Sequence, residues 1–221
     1  YRFGIKPIVI VTGYLGKQIE KNIISSQAKN TSKSETIIII NAGNRYKLGP
    51  LHSFLSITGN KQVFKTNELF LVIPGDTIFD YKLMEEILNL LKENYDEANQ
   101  NSIIFYRRTT KIALNKETEK YKLMSNRMVS CVRTKEKGSK QYVKEIYNRN
   151  MNTSSDDEEF NQIIPAFIIT YDYVKNFEDI ASKIKLNKIV DAINLSIKND
   201  MEFLACRVKS DHNFYDIDTV L

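Results

Sequence analysis

Apolar residues in this chain come in short unbroken runs, and helical-period segments separate them. Residues 8–12 (Ile-Val-Ile-Val-Thr), 36–40 (Thr-Ile-Ile-Ile-Ile), 70–73 (Phe-Leu-Val-Ile) and 102–106 (Ser-Ile-Ile-Phe-Tyr) are rich in β-branched and aromatic side chains. Runs of this kind predict strands covered on both faces, not half-buried strands of alternating polarity. Between them, residues 17–24 place Ile19, Ile23 and Ile24 on one helical face. A second helix opens at Gly49-Pro50, carries Leu51, Phe54, Leu55 and Thr58, and stops at Gly59-Asn60. A third, 81–91, follows Asp80 at the N-cap position. Strand–helix alternation with short links predicts an α/β fold: a three-layer open sheet, mixed but mostly parallel, with helices on both faces.

The rhythm changes after Arg107. Residues 109–122 are polar and weakly patterned, whereas 126–132 and 141–147 read as paired strands around Lys137-Gly138. Residues 151–159 are an Asn/Ser/Asp/Glu loop. A buried strand follows at 163–170, then helices at 173–184 and 189–197, a strand at 201–208 and a last short one at 213–219. No internal repeat is visible, and the whole of 1–221 reads as a single domain.

Composition narrows the chemistry only slightly. Hydrophobic content of 42% and charged content of 27% are those of an ordinary globular protein. The net charge of +5 is spread among 27 acidic residues. The densest basic stretch, 133–140, is broken by Glu136 and carries no aromatic, so the expectation is no nucleic-acid partner and a mild preference for anionic ligands. The two cysteines, Cys131 and Cys206, sit in apolar strand-like surroundings and read as buried thiols in a reducing compartment. His52 and His212, the only histidines, lack zinc-ligand spacing to either cysteine. No apolar run is long enough to span a bilayer and no secretory signal opens the chain, so the expectation is a cytoplasmic protein with no membrane partner.

Phosphate loops of the GxxxxGK[ST] and GxGxxG types are absent, as is a Gly-x-Ser-x-Gly elbow. Gly13-Tyr14-Leu15-Gly16 reads as a structural strand-to-helix turn. What stands out is a pair of acidic strand ends. Asp76 follows the strand 70–73 across Pro74-Gly75, and Asp216-Ile217-Asp218-Thr219 closes the chain, with Asp216 and Asp218 on one side of a strand. Ligands of open α/β sheets bind at the carboxyl ends of strands. Carboxylate oxygens there suit Mg²⁺, which bridges protein carboxylates and substrate phosphates. The competing interpretation makes Asp76 a turn residue that bonds nearby backbone N–H groups.

Four segments carry a family resemblance: residues 8–20, Gly49-Pro50-Leu51-His52-Ser53-Phe54-Leu55, the stretch 72–80 around Pro74-Gly75-Asp76, and Asp216-Ile217-Asp218-Thr219. In that order they resemble the sugar-phosphate nucleotidyltransferases (NDP-sugar pyrophosphorylases) and the related MobA-like NTP transferases. The resemblance implies nucleotidyl transfer from an NTP to a phosphorylated acceptor, a sugar phosphate, with release of pyrophosphate. Asp76 and Asp218 would be the catalytic metal ligands for Mg²⁺, with Asp216 beside them. Gly49, Pro50, Leu51 and Gly75 would line the nucleotide, with free N–H groups at the helix start, and His52 would be a rim or packing residue. Arg149 and Ala166 would face the substrate, standing where the family has a Lys and the Gly of Asn-x-Gly. The family's Gly-x-Gly-x-Arg triphosphate loop has no counterpart in these 221 residues. The chain as written is therefore expected to lack that loop and its strand and not to turn over. A non-catalytic nucleotide- or partner-binding regulatory member is the alternative, and the sequence leaves self-association open.

Overall fold

A computed structural model describes residues 5–29, 37–121, 128–209 and 211–216. In chain order its elements are β1 (Ile8–Thr12), α1 (Gly16–Lys29), β2 (Ile37–Asn41), α2 (Pro50–Phe54), β3 (Leu69–Val72), β4 (Thr77–Phe79), α3 (Tyr81–Glu93) and α4 (Tyr95–Asn101). There follow β5 (Ile103–Thr109), α5 (Lys111–Tyr121), β6 (Met128–Lys137), β7 (Lys140–Asn150), β8 (Phe160–Thr170), α6 (Tyr171–Lys183), α7 (Ile189–Lys198), β9 (Leu204–Val208) and β10 (Phe214–Asp216). They divide into two units, Tyr1–Glu68 with Tyr171–Ile193, and Leu69–Thr170 with Asn194–Leu221.

In the first unit the isoleucine-rich runs pair as expected, β1 parallel to β2 from Ile8↔Ile37 to Thr12↔Asn41. The predicted helix from Pro50 is shorter than its apolar pattern suggests. It is α-helical only to Phe54 and tightens to a 3₁₀ turn over Leu55–Gly59. Hydroxyls of Ser53, Ser56 and Thr58 donate to the carbonyls of Gly49, His52 and Leu55, the back-bonding that bends helices. Helix α6 packs on this turn, where the Thr58 hydroxyl donates to Glu178 at 2.7 Å. Phe64 stacks on Tyr171 with ring centroids 4.4 Å apart.

In the second unit the main sheet has six strands in the order β3-β8-β5-β9-β7-β6. It is mixed, and among the described residues only β5–β9 is a parallel neighbour pair. The mostly parallel sheet expected from strand–helix alternation is not what forms. Strands β3, β5 and β9 do run in one direction, but β8 enters antiparallel between β3 and β5 after the β6–β7 hairpin. Local periodicity has no access to such an insertion.

Strand β5 is buried on both faces through Ile103, Ile104, Phe105 and Tyr106. Leu83, Ile87 and Ala98 of α3 and α4 pack on one face, against Ile103, Phe105, Ile164, Ile168 and Leu204. Burying such side chains contributes about 1.5–3 kcal/mol each. The hairpin turns at Gly138, whose φ of +65° suits glycine, and its strands are longer than predicted. Within the polar stretch, Lys111–Tyr121 forms α5, a helix with little apolar stripe, and the Thr110 hydroxyl accepts the Ala113 N–H at its start. No helix among the described residues is long and apolar enough to cross a membrane.

Candidate functional site

The Asp76 turn lies between β3 and the three-residue β4. Residues 73–76 are exposed, and no hydrogen bond or ion pair engages Asp76 among the described residues. The competing turn interpretation needs that carboxylate to bond backbone N–H groups, and no such bond occurs among the described residues. Around Gly75 there is open space where a Cβ would stand. Asp80 occupies the N-cap position of α3, as the sequence predicts, but its side chain makes no cap bond.

Strand β4 pairs antiparallel with β10 in the register Thr77↔Asp216, Ile78↔Tyr215 and Phe79↔Phe214. The Asp80 N–H extends the ladder by donating to the Asn213 carbonyl at 3.0 Å. The terminal strand is therefore set against the Asp76 turn: Asp216 stands opposite the residue next to Asp76. Asp218 lies outside the described residues. The rings of Phe79 and Phe214, 6.4 Å apart and stacked, join the core. No group of three or more His, Cys, Asp or Glu side chains that could hold a metal occurs among the described residues.

Behind this ladder lies a feature that the sequence analysis missed. Arg107 of β5 is almost wholly buried, with 2% of its side chain exposed. Its guanidinium is forked onto Glu117 of α5, Nη1 to Oε1 at 3.1 Å and Nη2 to Oε2 at 2.7 Å. Nε donates to Gln162 of β8 at 2.8 Å. Nη1 also donates to the His212 carbonyl at 3.1 Å and to Asn213 Oδ1 at 2.9 Å, and the guanidinium carbon lies 5.3 Å from the Phe214 ring centroid. Only arginine has the planar fork to satisfy so many acceptors at once. A little further along, Glu86 of α3 accepts the Lys209 N–H at 3.1 and 3.2 Å and pairs with His212 Nε2 at 2.9 Å. An arginine inside an otherwise apolar strand run, Ile-Ile-Phe-Tyr-Arg, was the available signal for Arg107.

The other predicted site residues are engaged within the protein. Gly49 has φ +110°, and a Cβ there would stand 2.6 Å from the Asn187 carbonyl oxygen. The Leu51 N–H donates to that same carbonyl at 3.0 Å, and His52 Nε2 lies 2.8 Å from the Leu186 carbonyl oxygen. The free helix-start N–H groups expected here are thus partly used, and Leu51 itself is fully buried. Glycine at position 49 serves the approach of a neighbouring chain segment. Pro50 is exposed, and His52 is engaged with the Leu186 carbonyl.

Arg149 is bound to the loop that follows its strand. It pairs with Glu158, its Nε donates to Ser154 Oγ at 2.9 Å, and it lies over the Phe160 ring at 4.8 Å. The Glu158 partnership raises the Arg149 pKa further and lowers that of Glu158. Ala166 is fully buried in β8 within the core cluster, which leaves it no surface for a ligand. Both cysteines are buried free thiols, as expected. Burial pushes Cys131 up to about 11 and Cys206 up to about 12. The Gly13–Gly16 turn is closed by its own backbone, Gly16 N–H to Gly13 carbonyl at 3.1 Å.

No family model matches the sequence, and no curated protein does. Solved structures do match by shape. UDP-glucose pyrophosphorylase complexed with UDP-glucose superposes with a TM-score of 0.61 at 17% identity, over 96% of this chain and 75% of that one. The inositol-1-phosphate CTP transferase from T. maritima gives 0.62 at 12% identity, over 98% and 71%. CMP:2-keto-3-deoxy-manno-octonic acid synthetase complexed with CTP gives 0.56 at 8% identity, over 91% and 72%. All three are nucleotidyltransferases, and this α/β chain shares their fold.

Proposed function

We propose that the chain is a nucleotidyltransferase domain: a phosphorylated acceptor, a sugar phosphate or similar polyol phosphate, attacks the α-phosphate of an NTP and pyrophosphate leaves. The observation that carries this reading is the β4–β10 ladder. It sets Asp216 opposite the neighbour of the exposed Asp76, which is unengaged among the described residues, in a fold shared with solved nucleotidyltransferases. Mg²⁺ needs only one or two carboxylates, the rest of its shell coming from phosphates and water. A set made of Asp76, Asp218 and Asp216 has that chemistry, and these residues would hold the ion. Bound there, Mg²⁺ would neutralise phosphate charge and orient the triphosphate. Gly75, with no side chain and open space around it, lets a phosphate approach the backbone beside Asp76.

One observation favours a second reading. Arg149 and the Leu51 N–H are both committed internally, which suits a non-catalytic nucleotide- or partner-binding role.

The test reads binding before turnover, because the 221 residues carry no Gly-x-Gly-x-Arg segment. The protein is titrated with each of the four NTPs, with and without Mg²⁺, and its unfolding midpoint is followed. A rise that needs Mg²⁺ and disappears in Asp76→Asn is expected. No rise with any NTP would end the nucleotidyl-transfer reading. Binding without pyrophosphate release, across a panel of sugar phosphates and with the triphosphate loop restored, would favour the second.

A further inference from the structure

We propose that Arg107 is the positioning residue of the Asp76 site: it anchors residues 212–214 so that the terminal strand is carried against β4. This rests on the reading of Asp76 as a metal ligand. Among the described residues β10 and its ladder with β4 comprise three pairs, Thr77↔Asp216 to Phe79↔Phe214, and a ladder that short needs further support. The chain between β9 and β10 is accordingly tied down from outside the ladder. Lys209 and His212 are held by Glu86, and the end of the segment is held by Arg107 through the His212 carbonyl, the Asn213 side chain and the Phe214 ring.

A core ion pair alone would not require this arrangement. Glu117 and Gln162 suffice to neutralise and orient a guanidinium on β5. The further acceptors come from the one stretch whose position decides where Asp216 stands. Asn213 also faces both ways, its side chain taking Arg107 and its carbonyl taking the Asp80 N–H at 3.0 Å. Arg107 thus touches neither Asp76 nor any reacting atom, yet sets the register next to it.

The test uses the full chain with Arg107→Lys, which keeps the charge but loses the fork, and Asn213→Ala, which leaves the Arg107–Glu117 pair intact. Amide hydrogen exchange is compared for peptides covering 77–80 and 212–216, with β8 as internal reference. Exchange of the ladder amides should rise about five- to tenfold in both variants while β8 is unchanged. Mn²⁺ alone, followed by the EPR signal of the free ion, should bind about 10–100-fold more weakly in the variants. A merely structural role would lower the unfolding midpoint and leave Mn²⁺ affinity unmoved. Unchanged exchange in both variants overturns the proposal, as does a loosened ladder with wild-type Mn²⁺ affinity. If the wild-type protein takes up no Mn²⁺, the metal reading falls, and exchange alone decides whether Arg107 holds the strand.

Discussion

Replacing Glu117 by alanine leaves a guanidinium in the interior with its charge uncompensated. Two charge-assisted hydrogen bonds, at 3.1 and 2.7 Å, are lost together. Breaking a buried ion pair on one side costs about 3–5 kcal/mol when nothing else compensates. Here the Glu117 side chain is 23% exposed, and Gln162, Asn213 and the His212 carbonyl still accept from Arg107. The expected cost is therefore at or below the low end, about 2–3 kcal/mol. Glu117→Gln keeps one acceptor and should cost about 1 kcal/mol. Arg107→Met with Glu117→Leu removes both charges, so the double variant should be less damaged than the sum of its parts by about 1–3 kcal/mol. Urea unfolding followed by circular dichroism measures the wild type, Glu117→Ala, Glu117→Gln, Arg107→Met, Glu117→Leu, the Arg107→Met/Glu117→Leu double variant and Arg107→Met combined with Glu117→Ala. One molar salt should change the Glu117→Ala cost little, because a buried pair is weakly screened. A cost below about 1 kcal/mol with no coupling to Arg107→Met would show that the guanidinium is solvated, and the reasoning about this hub would be wrong.

Two further outcomes follow from local geometry. Gly49→Ala forces a side chain into φ +110° and against the Asn187 carbonyl, so it should cost at least about 1–3 kcal/mol by thermal or urea unfolding; a neutral result would mean that the 184–187 segment gives way. Burial holds the thiols of Cys131 and Cys206 neutral up to about 11 and 12, whereas the unfolded chain releases those protons from near 9.0. The unfolded state thus loses protons first, so this contribution is complete below pH 9 and is lost as pH rises toward 11–12. Burial of Tyr106 acts in the same direction. Stability should fall by on the order of 1 kcal/mol per thiol for each pH unit above about 9. The Cys131→Ala/Cys206→Ala protein should show a flatter slope in alkaline unfolding curves, and an equal slope would contradict the assignment.

What could be read from the sequence was whatever rests on apolar periodicity. Strands β1, β2, β3, β5 and β8 and helices α3, α6 and α7 lie within a few residues of their predicted limits, because each carries its own buried run or stripe. Helix α5 escaped because little of what holds it is apolar: a Thr110 cap at one end and the Glu117–Arg107 fork on one face. Strand β4 escaped because Thr77-Ile78-Phe79 is short and Ile78 is exposed. Sheet order was beyond reach, since the seat of β8 between β3 and β5 is a contact between distant parts of the chain. At the candidate site, the exposed place of Asp76 after β3 was legible. The internal uses of Gly49, Leu51, Arg149 and Ala166 were not, because each depends on a neighbour remote in sequence: the Asn187 carbonyl, the 154–158 loop or the sheet core.

The place of β9 bears on how this molecule is made and how it fails. This late strand, Leu204–Val208, is not an edge; it sits between β5 and β7 and supplies the parallel pairing of the sheet seen among the described residues. During synthesis β5 must wait half the chain's length for that neighbour, its Ile103-Ile104-Phe105 edge open to other partners meanwhile. Sheets in which late segments arrive at the rim tolerate trimming from the carboxyl end. Here, loss of β9 would strip β5 of its neighbour on that side and, among the described residues, leave the β6–β7 hairpin joined to the sheet only through β6–β8. A chain cut before Leu204 should therefore aggregate through the exposed edge of β5.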